Sequence, residues 1–219
     1  MKWLRENGLL IANLALFVAF LAGLAITGWN VENQELTEHG QPTESLGQYL
    51  VSPEFGEAVF ENWESEFLQM GSYVVLTVFL FQKGSAESKP IGEATAQDED
   101  PRKRKNDPKA PWPVQQGGVA LVLYENSLLI LFAVLFFASF VLHLGTGAEA
   151  FSAEQLQHGG QPVTPLEYLG TSQFWFESMQ NWQSEFLAIA TLVGASVYLR
   201  QRGSPESKPV ATPHSETSA

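Results

Sequence analysis

The sequence predicts an all-α membrane protein in which four transmembrane helices form two parallel-repeat helical hairpins, with helical segments in the outer loops. Three observations carry this expectation: two long charge-free apolar runs, a second copy of the landmark segments 119 residues further on, and the confinement of every lysine and arginine to three places. Buried helices of a soluble core fit poorly, because four apolar blocks leave too little polar chain to cover them.

The first span, about 9–28, contains Leu9 to Thr27 ("LLIANLALFVAFLAGLAIT"). At ~1.5 Å per residue this charge-free run is long enough to cross a ~30 Å hydrocarbon core. Lys2 and Arg5 precede it as they would in a signal peptide, but the run exceeds the usual ~7–15 residues of such a segment and lacks a cleavage site, so it is expected to be retained. Ala15, Ala19, Gly23 and Thr27 recur every fourth position, the small-residue pattern that lets transmembrane backbones approach closely, and Asn13 is a candidate for bonding between helices.

The second span, about 60–82, joins the apolar run Phe67 to Phe81 to "NWESEFL" ahead of it. Ser52, Pro53 and Glu54 give an N-cap, a proline at the first helical position and an acid in the first turn, so the helix should start above the apolar stretch. Phe55, Val59, Trp63, Phe67 and Met70 then keep helical spacing. Lys83 followed by Gly84 reads as a cation in the last turn and a glycine stop. The third span, about 127–146, contains Leu128 to Thr146, and the fourth, about 178–200, repeats the logic of the second from "TSQF" through "NWQSEFL" to Arg202 and Gly203.

"ENGLL" and "ENSLL", "EHGQP" and "QHGGQP", "NWESEFL" and "NWQSEFL", and "QKGSAESKP" and "QRGSPESKP" follow in the same order. This makes residues 1–90 and 119–209 two hairpins of the same direction. Residues 91–118, with "DEDPRKRKNDPKAPWPVQQGG", read as a flexible linker, and 210–219 as a disordered tail.

All 12 Lys and Arg lie at the N-terminus, between Lys83 and Lys109, or between Arg200 and Lys208. The intervening loops, Gly28 to about Glu61 and Gly147 to about Gln180, have none, so the positive-inside rule places the termini and linker in the cytoplasm and these loops outside. With Glu64, Glu66 and Glu185 the outer side carries 14 acids and no base, and the net charge of -12 belongs to that face. "RKRK" is then a topogenic cluster attracted to anionic headgroups rather than a nucleic-acid site. No cysteine is present, which excludes disulfide and thiolate chemistry.

Glu66 and Asn62, like Glu185 and Asn181, are four apart and share a helix face at the outer boundary, where an ionised carboxylate is costly unless it meets water or a donor. These four residues are a candidate polar or ion site; Trp63 and Trp182 read as interfacial anchors. His39, His143 and His158 are candidate metal ligands, although none stands at metal-motif spacing. No phosphate loop, dinucleotide fingerprint, zinc-protease helix, serine elbow or heme or iron–sulfur ligand set occurs, so neither an enzyme nor a cofactor is expected.

"LRENGL", "TGW", "EHGQP", "FENWESEFLQM" and "VFLFQKGSAESK" resemble a family of small bacterial integral membrane proteins of unknown function. The second copy departs from the most specific segment, with Gln183 for Glu64 and Ala188 for Gln69. The resemblance implies a multi-pass inner-membrane protein with four spans and brings no activity. The function expected is a non-enzymatic structural or accessory one, partnered by the lipid bilayer and by another membrane protein or a second copy of the chain. The alternative is a small transporter, channel or ion-binding protein using the paired Glu and Asn residues.

Overall fold

The computed structural model describes residues 2–217, and among them every regular element is helical. In order these are α1 (Lys2–Glu6), α2 (Gly8–Glu38), α3 (Leu46–Tyr49), α4 (Pro53–Phe79), 3-10 turns at Ala96–Asp98 and Pro101–Arg104, α5 (Trp112–Gln116), α6 (Gly118–Glu125), α7 (Ser127–Gln157), α8 (Pro165–Leu169) and α9 (Ser172–Ala195). The all-α expectation holds. Two helices, α2 and α7, are long and apolar enough to cross a membrane, each of 31 residues. At ~1.5 Å per residue both outrun a ~30 Å core, so the acidic last turns of α2 (Glu32, Glu35, Glu38) lie beyond its apolar stretch.

The chain divides into two units, Met1–Phe60 with Leu142–Thr171, and Glu61–Val141 with Ser172–Ala219. In the first, short helices fold back onto the ends of long ones. Ser45 and Gln48 form a capping box at α3, and Thr164 and Glu167 form another at α8. Asn33 clasps Glu44 by accepting from its amide at 2.7 Å and donating to its carbonyl at 3.1 Å; Ser152 does the same for Val163, at 2.9 and 3.2 Å. Tyr49 then lies on Gly28, where a Cβ would overlap its Oη, and Tyr168 lies on Gly147, where a Cβ would stand 2.7 Å from its Cε1.

In the second unit α4 (from Glu61), the first half of α7 and α9 supply the core. Phe140 of α7 packs edge-on against buried Phe174 of α9, with ring centroids 5.5 Å apart. Gly71 of α4 is in van der Waals reach of Phe132 of α7, a Cβ at 71 falling 3.3 Å from the Cβ of 132. The linker residues, read as flexible, carry the two 3-10 turns and α5; Pro101–Arg104 packs on α5, and α5 on α6.

Several local expectations change. The sequence runs the second and fourth spans to 82 and 200, but α4 stops at Phe79 and α9 at Ala195. Serine side chains take over just beyond: Gln82 N–H donates to Ser88 Oγ and Gln201 N–H to Ser207 Oγ, both at 2.9 Å. No cation stands in the last turn of α4, and Gly84 (φ 85°) serves the turn that follows, where a Cβ would overlap the His214 carbonyl oxygen. Asn13 Nδ2 donates at 2.8 Å to Leu9 O of its own helix, not to another helix. A Cβ at Gly23, in the small-residue stripe, would meet no atom within 4 Å. Residues 210–217, read as disordered, form turns: buried Lys208 donates to the carbonyls of Pro213, His214 and Glu216 at 3.2, 3.2 and 2.7 Å. Residues 218–219 of that tail lie outside the described residues.

Candidate functional site

The polar residues of the second unit converge where α4 meets α9. Glu61 and Glu64 stand at helical spacing on α4, as do Ser178, Asn181, Trp182 and Glu185 on α9. Glu64 is fully buried. Its Oε1 accepts from Trp182 Nε1 at 3.0 Å and from Ser178 Oγ at 3.2 Å. Asn181 Nδ2 donates to Glu61 Oε1 and, at 3.2 Å, to Glu177 O of its own helix. One turn further along α4, Gln69 Nε2 donates to the backbone carbonyl of Glu185 at 2.8 Å. A buried carboxylate is stabilised by two donors aimed at it. Trp175 stands edge-on to Trp182, with centroids 6.5 Å apart, and Phe174 edge-on to Trp175 at 5.3 Å.

This redistributes the expected roles. Glu66 and Asn62 are exposed, while Glu185 and Asn181 are half-buried. The segments that carry the four residues meet, through Gln69 and the Glu185 carbonyl, yet the buried acid is Glu64. Trp182, read as an interfacial anchor, uses its indole N–H on that carboxylate; Trp63 is half-buried and stacks edge-on with Phe67 at 6.5 Å. Two of the places where the second copy of the motif departs from the first, Gln183 for Glu64 and Ala188 for Gln69, are places where α4 sends a buried polar side chain to α9. That difference was visible in the sequence, and it marks an asymmetric contact.

Next to this cluster lies an apolar groove of about 420 Å³ between α4 and α7, floored by Gly71, Ser72 and Ala133 and walled by Phe67, Phe132 and Phe136. It offers no charged lining residue.

In the first unit the histidines part company. His39 Nδ1 and His158 Nδ1 are exposed and sit 2.8 and 2.9 Å from the carbonyls of Glu35 and Glu154, one turn back in their own helices. His143 is fully buried, with a ring nitrogen within 4.8 Å of a carboxylate oxygen of Glu57. Buried Tyr168 donates its hydroxyl to Glu57 Oε1 at 3.2 Å. An imidazole and a carboxylate are ordinary ligands for zinc or a similar divalent ion. Glu57 and Tyr168 were not singled out from the sequence; the spacing of Glu57, Glu61 and Glu64 was the available signal.

A second acidic group in this unit has no part in such pairing. Burial first, then the carboxylates of Glu54, Glu35 and Glu44, push the Glu32 carboxyl above its ordinary range. Glu44 is pushed up by burial and by Glu54, and its Oε1 is buried without a hydrogen-bond partner.

The chain belongs to the family described as "Domain of unknown function (DUF6766)", which matches residues 1–219. No curated protein and no solved structure matches it.

Proposed function

We propose that this member of the family is a four-span, multi-pass protein of the bacterial inner membrane, built from two tandem hairpins of the same direction and serving a non-enzymatic structural or accessory role. The termini and the 91–118 linker are cytoplasmic in this reading, and the acidic loops face out. The apolar lengths of α2 and α7 support the membrane assignment. Duplication is supported by bonds that recur 119 residues apart: the boxes at Ser45 and Thr164, the clasps of Glu44 and Val163, the tyrosines on Gly28 and Gly147, and the serines that receive Gln82 and Gln201.

The observation that carries the structural role is the way buried polar groups at α4 and α9 are taken up by one another. Glu64 faces Trp182 and Ser178, Asn181 faces Glu61, and the neighbouring groove is apolar. Such contacts hold helices in register in a medium that offers no competing water. The uncovered small-residue stripe around Gly23 suits a second copy or another membrane protein, and no nucleic acid is involved.

A second reading, ion binding, is favoured by Glu57 and His143 rather than by Glu66 and Glu185. The test is elemental analysis and affinity capture of the protein in nanodiscs. The structural role predicts a co-purifying membrane protein or a stable dimer and no stoichiometric metal. Metal that is lost in Glu57→Gln plus His143→Ala, and retained in Glu66→Gln plus Glu185→Gln, would replace it with the ion-binding reading.

A further inference from the structure

We infer that the 3-10 turn Pro101–Arg104 with α5 and α6 forms a peripheral foot that lies on the phospholipid surface, its apolar stripe in the headgroup–acyl boundary and its lysines on lipid phosphates. The inference rests on the membrane reading above and assigns to the linker a task beyond connecting the hairpins.

The apolar half comes from α5 and α6. They pack on each other and bury Val114 and Leu121, which leaves a second set of apolar residues exposed. Val119, Val122 and Leu123 stand at helical spacing on α6 and are 75, 49 and 55 % exposed; Trp112, at the start of α5, is 67 % exposed. An exposed tryptophan on the helix packed against α6 matches the amphipathic chemistry of the interface, where an indole ring keeps one edge wet.

The cationic half is brought alongside. Pro101–Arg104 packs on α5, and the Lys105 ammonium lies 3.9 Å from where a Cβ on Gly117 would stand, at the joint of α5 and α6. Asp100 pairs with Arg102 at 3.5 Å and Glu99 with Arg104 at 3.0 Å. Lys103, Lys105 and Lys109 make no ion pair among the described residues and are free to meet phosphates. The acids of the linker fall mostly before Pro101, in Glu93 and Asp98 to Asp100, so the basic side is the one joined to the helices.

Continuity selects lipid as the occupant. Only Asn126 separates α6 from α7, the span-length helix, and Asn126 Nδ2 closes the end of α6 by donating to Val122 O at 2.8 Å. If α7 crosses the bilayer, α6 has no length of chain with which to leave its edge. Residues 119–146 in one span would also overrun a ~30 Å core at ~1.5 Å per residue, so α6 is better lodged along the surface.

The absence of cysteine makes the test clean. Single cysteines at Val119, Leu123, Gln116 and Val134 of the full chain, carrying an environment-sensitive fluorophore, are read in nanodiscs with and without lipid-borne quencher. Labels at 119 and 123 should be blue-shifted and quenched as the label at 134 is, while 116 stays aqueous. Replacing Lys103, Lys105 and Lys109 by Gln should weaken engagement about fivefold per lysine in anionic nanodiscs and much less in zwitterionic ones. Aqueous signals at 119 and 123 with a lipid-exposed 134 overturn the foot and leave the membrane reading intact. Labels shielded from both water and lipid quencher mean that protein covers the stripe and also overturn it. An aqueous 134 defeats the membrane reading and the foot together.

Discussion

Glu64 shows how one side chain can be legible in kind and illegible in role. Its place in "NWESEFL" marks a carboxylate at the mouth of an apolar helix, yet only the approach of α9 supplies Trp182 and Ser178 as donors. Glu64→Ala should leave buried Ser178 and half-buried Trp182 without that acceptor, at about 1–3 kcal/mol. Glu64→Gln keeps an acceptor and should cost less. Thermal unfolding of the two variants in nanodiscs orders them; equal melting temperatures would remove the clasp. Glu32 poses the opposite case, a carboxyl raised by burial and by neighbouring acids. Such a group contributes stability that is present below its unfolded value of about 4.5 and lost as pH rises through the higher folded value. Glu32→Gln should therefore raise the melting temperature at pH 7 and change it little at pH 4. A shift that is the same at both pH values would assign the effect to packing instead.

At the scale of elements, the helix starts were readable and the stops were not. Ser52 Oγ receives Phe55 N–H at 3.3 Å and α4 begins at Pro53, as an N-cap followed by proline dictates. The stops at Phe79 and Ala195 depend on Ser88 and Ser207, six residues beyond the amides they capture, which no periodicity registers. The fold-back of α3 onto α2 depends likewise on Gly28, a residue that reads only as the point where the first span gives way to the outer loop. Gly28→Ala places a Cβ on Tyr49 Oη and should cost about 1–3 kcal/mol as overpacking. Tyr49→Phe removes that oxygen and should return part of the loss in a double-mutant comparison; strict additivity of the two changes would refute the contact.

For the whole molecule, the segregation of charge makes the boldest claim. Twelve basic residues in three clusters, with two base-free loops between them, predict an even number of crossings between the clusters. Impermeant thiol reagents on intact cells should label Gln41→Cys in the outer loop and spare Gly92→Cys in the linker. The reverse labelling would invert the topology, and labelling of both would remove one crossing.

Apolar length, charge placement and N-caps are properties of a few consecutive residues, and these the sequence determined: an all-α chain with two span-length helices and a landmark pattern stated twice. Which polar side chain is buried is a property of two helices at once, since rotation and approach decide whether a carboxylate meets an indole or water. The tertiary structure alone therefore showed Glu64 buried against Trp182 and Ser178 and His143 buried within reach of Glu57, and turned a linker into a folded surface.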